Sequence, residues 1–393
     1  MLSLGDLPPC GVFLPPDADL KLEERYPLDL YFCETCGLSQ LGERISPRRN
    51  FQTNAYLASH SLATHAHHLR LADEIAQRME NGCVVDIGCN DGMLLSMLAK
   101  KGYDVLGIDP SIPAGEITAA QGIPTLTEFF SPDVVTNFHL RRKADVICCT
   151  NTLQHVDDLH AFMDAVSMML NDDGWFVVDV GHVLSVLREF HQIHHEYLTY
   201  FWSKPLCTLA ELHGFSVQSI EMQPLHGGVL RAWMRKSNEP HCAGLPDEAN
   251  LGSADTYAAF ARGIPSTIAA IRNFLTAYKR ENKRMVGYGA SGRGLVLAHV
   301  CGFGDFIDAC VDTTPMKIGM QIPGLRIPVI SEEDWLESGV RFSIILANNL
   351  ERDILERTKR YQENGGQFLR LLPRPSLIQE TEMATKTPAL QTR

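Results

Sequence analysis

From about residue 50 onward the spacing of apolar positions switches repeatedly between the period of a helix and the run of a buried strand. Short runs rich in Val and Ile predict strands opening at Val84, at 104–109, near 144–150, at 175–180, and as a final pair at 215–222 and 228–235. Helical spacing predicts helices over 65–80, 93–101, 158–170 and 204–213. Such alternation predicts a mainly parallel sheet covered on both faces. Residues 239–254, with Pro240, Gly244, Pro246 and Gly252, read as a linker. A helix of roughly 30 residues from Ala254 to about Lys283 then leads into a second αβ unit. That unit opens on a strand before Gly287 and continues through strands near 307–312 and 342–347. The first 48 residues are rich in proline and turns, and the stretch after Pro373 has no apolar period. The expected organisation is a small cysteine-containing domain at 1–48, a Rossmann-like αβ domain at 49–238, a second one at 254–375, and a disordered tail at 376–393.

The most informative segment is Val84-Val85-Asp86-Ile87-Gly88-Cys89-Asn90-Asp91-Gly92. A strand carrying an acid runs into a glycine-bearing turn, a helix follows, and the next strand ends at Asp109. This is the layout of a doubly wound nucleotide site, in which the second acid can accept hydrogen bonds from ribose hydroxyls. The turn lacks the G-x-G-x-x-G spacing of a pyrophosphate site. It suits a nucleoside without phosphate, S-adenosyl-L-methionine (SAM). Gly88, Asn90, Asp91 and Gly92 would wrap the methionine part, with Asp86 on the strand beneath and Asp109 on the ribose. Asn151 and His155 follow the 144–150 strand and should line the same pocket.

Composition narrows the class. The chain has 393 residues, 45% hydrophobic and 21% charged, which is ordinary for a globular protein of two or three domains. A net charge of −12 argues against nucleic acid or an anionic membrane as a main partner. No run of about 18 apolar residues predicts a transmembrane helix. The first residues carry no basic, apolar leader pattern, so a cytoplasmic protein is expected. The eleven cysteines lie mostly in apolar runs and are expected as reduced thiols rather than a disulfide framework.

Three further constellations could carry chemistry. The stretch from His191 to Phe201 holds His191, His194, His195, Glu196, Tyr197 and Tyr200, and His182 follows Asp179 at a strand end. Histidine titrates where a base at neutral pH is needed, and Glu or Tyr can orient it. The bland alternatives are a solvated polar helix or a metal pair at His191 and His195 that lacks a third ligand. Next, Gly287-Tyr288-Gly289-Ala290-Ser291-Gly292 satisfies G-x-G-x-x-G, with Asp312 on the following strand. This fits NAD, and equally a pyrophosphate-bearing substrate held by Gly289, Ser291 and Arg293. Finally, Cys33 and Cys36 form half of a zinc knuckle. A structural zinc needs four ligands, only Cys10 lies nearby, and zinc is expected to be absent or substoichiometric.

Together these motifs resemble the SAM-dependent sugar C-methyltransferases of deoxysugar biosynthesis. The resemblance runs through Cys33-Glu34-Thr35-Cys36-Gly37-Leu38, Tyr56-Leu57-Ala58-Ser59-His60-Ser61, the 87–92 loop, His226-Gly227-Gly228-Val229-Leu230-Arg231, and Gly287 to Ala290 with Asp312, Lys317 and 322–324. It implies a zinc-binding N-terminal domain, a class I methyltransferase domain and a C-terminal Rossmann-like domain. It implies Tyr56 among the cofactor contacts and His226, Gly227 and Arg231 among the substrate contacts. It also implies a small-molecule acceptor, a nucleotide-linked keto-deoxysugar, methylated next to its ketone through a base-formed enolate. Two departures stand out. The family's first C-x-x-C has no counterpart, and its Y-H-E-H segment reads His194-His195-Glu196-Tyr197. The base is therefore left among His182, His194 and Tyr197. Rival readings are a methyltransferase of a non-sugar keto acid or natural-product carbon, an NAD-dependent oxidoreductase, and a non-catalytic SAM-binding scaffold.

Overall fold

The structure is a computed structural model that describes residues 1–19, 23–52, 57–137, 143–237, 239, 241–242, 244–280 and 284–378. It divides into two compact units. The first comprises Met1–Ser3, Pro27–Leu187 and His195–Ala261, and the second Leu4–Tyr26, Arg188–His194 and Arg262 onward. The units interleave along the chain, whereas the domains expected from sequence are consecutive. Strand β1 (Leu2–Leu7) and the helix Ala254–Arg280 both span the division.

In the first unit, β2 (Tyr26–Phe32) pairs antiparallel with β3 (Ser39–Leu41), and β3 with the much later β9 (Thr199–Tyr200). The main sheet contains β4 (Cys83–Ile87), β5 (Asp104–Ile108), β6 (Thr125–Leu126), β7 (Ala144–Thr150), β8 (Leu170–Gly181), β10 (Phe215–Gln223) and β11 (Val229–Lys236). Their order is β10-β11-β8-β7-β4-β5-β6. The five strands from β6 to β8 run parallel, and the β10–β11 hairpin joins antiparallel through β11. Val84, Val85, Ile147, Val177 and Val178 are fully buried, as the continuous apolar runs require of strands covered on both faces. The helix expected at 65–80 spans Leu62–Arg78, because Ser61 caps it by accepting a hydrogen bond from the Thr64 amide. It buries His67, His68, Leu71 and Ile75.

The second unit carries β12 (Met285–Tyr288), β13 (Ala309–Val311), β14 (Gln321–Ile322), β15 (Ile327–Ile330), β16 (Phe342–Ile345), β17 (Gln367–Arg370) and β18 (Ser376–Leu377). The order is β14-β15-β13-β12-β16-β17-β18, with a parallel centre and antiparallel edges. The strand order reverses between β12 and β16, the switch point where doubly wound sheets bind ligands.

Two expectations need correction. The tail predicted over 376–393 begins as an edge strand, since Ser376 and Leu377 pair with Arg370 and Leu369. A two-residue strand is too short for any period to reveal. The rest of that tail from residue 379 lies outside the described residues. The cysteines are not all thiols, because Cys207 and Cys242 form a disulfide with their Cα atoms 6.0 Å apart. No motif links two cysteines 35 residues apart in sequence. No helix among the described residues is long and apolar enough to cross a membrane.

Candidate active site

The turn after β4 requires its glycines. Gly88 and Gly92 have φ of 75° and 74°. A Cβ at Gly88 would collide with Thr152, and one at Gly92 would lie 2.9 Å from Ile123 and 3.0 Å from Thr118. Asn90 also has positive φ (50°), and its Oδ1 accepts the Ala58 amide at 2.8 Å. Asp91 Oδ2 accepts the Ser59 amide at 2.9 Å. At the end of β5, Asp109 accepts the Asn90 amide at 2.9 Å and the Ser111 amide at 2.8 Å. Burial raises the Asp109 carboxyl despite those two bonds. Burial, and then the nearby Asp109 and Asp179 charges, push Asp86 well up. One oxygen each of Asp86 and Asp91 is buried without a hydrogen-bond partner among the described residues.

These features fit SAM. The glycines leave a cradle that side chains would fill, and the orphaned carboxylate oxygens await donors such as an ammonium group or hydroxyls. Tyr56, implied by the resemblance, lies outside the described residues.

The loop after β7 faces the same turn through Thr152. Asn151 adopts positive φ (53°), and its amide donates to the Asp179 carbonyl. His155 donates from Nδ1 to the Glu196 carbonyl at 2.6 Å, and burial pushes its pKa down to about 4. The His155 ring lies edge-on to Phe51 and to Tyr197, each with centroids 4.9 Å apart. Tyr197 also stands 3.7 Å from where a Cβ on Gly181 would be, at the end of β8. The first unit thus gathers the 88–92 turn, Thr152, His155 and Tyr197 at the carboxyl edge of its sheet.

The polar segment is not a solvated helix. His191, His194 and His195 are all buried, and the division between units falls between His194 and His195. His194 Nδ1 donates to the Gln192 carbonyl at 2.8 Å, within the second unit. His195, Glu196 and Tyr197 belong to the first unit. Burial, with the Arg293 charge second, lowers His191 to about 3.

Two sequence candidates have other partners. His182 is buried, its Nδ1 accepting the Leu184 amide at 3.0 Å and its Nε2 donating to Glu248 Oε1 at 2.8 Å. Both ring nitrogens are committed, which removes it from the candidate bases. Arg231, expected to bind substrate, is 1% exposed. Its Nε and Nη2 donate to Asp179 at 2.9 and 2.7 Å, and its Nη1 to Glu74 at 3.0 Å. His67 joins the same network at 2.6 Å from Asp179. Burial acts to raise Asp179, yet Arg231 and His67 hold its carboxyl below the usual range. Arginine in an H-G-G motif reads as a ligand contact only if its donors are open, and burial alone decides that. His226 and Gly227, with φ of 51° and 92°, form the turn between β10 and β11. That turn lies beside the end of β8, since the His182 amide donates to the Gly228 carbonyl.

In the second unit Gly289 (φ 90°) leaves the end of β12, and a Cβ there would press on Ala347 at 2.7 Å. Ser291 caps the helix Gly292–Val300 by accepting the Gly294 amide at 3.2 Å. Arg293 donates to Gln192 Oε1 at 2.6 Å. Asp312 accepts the Thr314 amide, and Lys317 bridges Asp312 Oδ2 at 3.1 Å and the Ala290 carbonyl at 3.0 Å. Lys317 brings a cation to the glycine turn. The motif containing it was visible in sequence, but its approach to the turn was not.

The cysteine turn does not suit zinc. Among the described residues no group of three or more His, Cys, Asp or Glu could hold a metal ion, so Cys33 and Cys36 supply half a tetrahedron. The turn is instead held by the Cys33 amide on the Leu38 carbonyl, the Gly37 amide on the Cys33 carbonyl, and the Trp202 indole N–H on the Gly37 carbonyl at 2.7 Å.

A parallel sheet closed by an antiparallel hairpin, with an acid at the end of its second strand and a glycine turn after its first, defines a class I SAM-dependent methyltransferase. Family models match in series: "Putative zinc binding domain" at 1–51, "Methyltransferase domain" at 58–220 and "C-methyltransferase C-terminal domain" at 224–373. The C-methyltransferase NovU of Streptomyces niveus is 30% identical, the match covering 96% of this chain and 94% of that protein. The chain belongs to this C-methyltransferase family, with SAM as its methyl donor. A ubiquinone biosynthesis O-methyltransferase of Hydrogenovibrio crunogenus is 30% identical over only 25% of this chain and 42% of its own length. The magnesium protoporphyrin IX methyltransferase of Synechocystis PCC 6803, solved with bound SAH, superposes on 44% of this chain and 84% of its own at a TM-score of 0.35 and 15% identity.

Proposed function

We propose that the chain methylates the carbon beside a ketone in a nucleotide-linked keto-deoxysugar. The observation that carries this reading is Tyr197 set against His155 and Gly181, beside the Thr152 contact with the SAM turn. A saturated carbon must lose a proton before it can attack a methyl group, and a neighbouring carbonyl acidifies such a C–H enough for a side-chain base to remove it. Tyr197 stands where the resemblance puts the family's base. Both nitrogens of His182 are engaged, and His194 belongs to the second unit with its Nδ1 on the Gln192 carbonyl. The role is therefore assigned to Tyr197, which shares the first unit with the SAM turn. His195 and Glu196 precede it directly, and His155, which donates to the Glu196 carbonyl, packs edge-on to its ring. Bound SAM supplies a methyl group on a cationic sulfur. The buried acids Asp86, Asp91 and Asp109 would hold its nucleoside and amino-acid ends. In the second unit the 289–292 turn, the Gly292–Val300 helix N-terminus and Lys317 suit a diphosphate. The motif resemblance supports a sugar on that diphosphate.

The test is a mass-spectrometric screen of nucleotide keto-sugars with SAM. One acceptor should gain a methylene mass with formation of S-adenosylhomocysteine. Methylation of non-sugar keto acids alone would replace the sugar, and no methylation of any ketone would remove the enolate route.

A further inference from the structure

We propose that Glu248 is a positioning residue for the acceptor side of the site, a role that rests on the reading of 195–197 given above. It lies in the stretch that reads from sequence as a linker, yet it is only 5% exposed. Its Oε1 takes the His182 Nε2–H at 2.8 Å and the Ser203 amide at 3.0 Å, and its Oε2 takes the Leu245 amide at 3.3 Å. Because His182 Nδ1 accepts the Leu184 amide, the ring proton must sit on Nε2 and point at Glu248. Burial acts to raise the Glu248 carboxyl, but the His182 and Ser203 bonds hold it below the usual range. A buried carboxylate satisfied by three donors is a rigid anchor, since moving any one strands a donor away from water.

Two functional segments hang from this anchor. The His182 amide donates to the Gly228 carbonyl, fixing the 226–228 turn. His182 also bridges to Phe201, whose carbonyl accepts the Val183 amide at 2.8 Å, and Ser203 follows two residues later. The downstream end of the segment bearing Tyr197 is thereby tied to the same carboxylate. No contact of Glu248 reaches the 88–92 turn or Asp109 among the bonds that hold it. Its loss should therefore disturb the acceptor side and spare the SAM side.

The experiment compares Glu248→Ala and Glu248→Gln in the full chain. Glu248→Ala should lower kcat/KM for the acceptor on the order of 10²-fold, the effect of a small misplacement of reacting groups. SAM affinity by calorimetry should stay within about twofold, as expected for separated sites. Glu248→Gln keeps an acceptor for His182 and Ser203 and should recover most of the turnover. Amide hydrogen exchange should quicken in 196–203 and 226–229 of Glu248→Ala, with 88–92 unchanged. Should Glu248→Ala fail to fold, Glu248→Asp, which withdraws the charge by one methylene, gives the same readings. Wild-type turnover, a parallel loss of SAM affinity, or unaltered exchange in both segments would each overturn the proposal. If the wild type methylates no ketone, the functional reading fails, and the exchange measurement still decides the anchor.

Discussion

Asp109 and Asp312 occupy equivalent places, each at the end of the strand next to a glycine turn, and they are 7% and 8% exposed. Their carboxyls nevertheless shift in opposite directions. Asp109 is raised by burial, with only backbone amides against it. Asp312 is lowered, because Lys317 and Thr314 outweigh the same burial. Among the described residues no cation acts on Asp109 at the first turn, whereas the second brings a lysine to its loop. One supersecondary unit thus carries a raised carboxyl at the turn expected to hold SAM and a lysine-paired carboxyl at the other, which on the proposed function would face a diphosphate. The glycine spacing positions a ligand, and the facing charges choose it.

The largest effect should separate chemistry from binding. Tyr197→Phe is expected to lower kcat by about 10²–10⁴, the usual contribution of a general base, with SAM affinity retained. Exchange of the substrate α-proton into deuterated solvent without SAM should vanish with it. Persistent exchange would move the base to another group, with His194 first to test.

The comparison itself breaks if the acidic turn does not hold SAM. Asp109→Ala removes hydrogen bonds made by a charged group, each worth about 1.5–3 kcal/mol, so the SAM dissociation constant should rise at least roughly tenfold. The raised carboxyl gives a pH signature as well. Protonation removes its charge, so SAM affinity should fall on acidification, beginning above the 3.8 of an ordinary aspartate. An affinity flat across mildly acidic pH would mean that Asp109 makes no charged contact with the ligand.

The second turn is tested by Lys317→Ala. The acceptor KM should rise about tenfold, as for one lost charge-assisted hydrogen bond, while SAM affinity stays put. Tight NADH binding by the wild type would instead revive a dinucleotide role for this turn. The smallest effect is expected at the cysteine turn. Cys33→Ser with Cys36→Ser should leave SAM affinity and melting temperature close to wild type, and elemental analysis finding one tightly held zinc per chain would overturn that.

The first turn was readable because its chemistry is local: Asp86, Gly88, Gly92 and Asp109 fall within one strand–turn–helix–strand unit whose geometry follows from φ and burial. The mainly parallel character of the first sheet was readable too, because helical and strand periods alternate along the chain. What failed to show was long-range. Glu248 sits in a stretch with no period, and only folding brings it to His182, 66 residues away. Arg231 was expected at the site from its motif and His182 from its place at a strand end, and neither motif nor position reveals whether hydrogen-bonding groups are already taken. Cys207 and Cys242 gave no signal because neither lies in a motif.

The Asp179–Arg231 pair has a consequence for how the chain reaches this fold. The two residues lie directly opposite each other across β8 and β11. A slip of the hairpin by one position would turn Arg231 to the other face and leave Asp179, His67 and Glu74 facing an apolar side chain. Removing one partner of a buried ion pair costs about 3–5 kcal/mol, a large share of a domain's stability. The network therefore ties stability to the hairpin's register. It penalises a one-residue slip of the hairpin, and so favours the register that sets the place of the 226–228 turn.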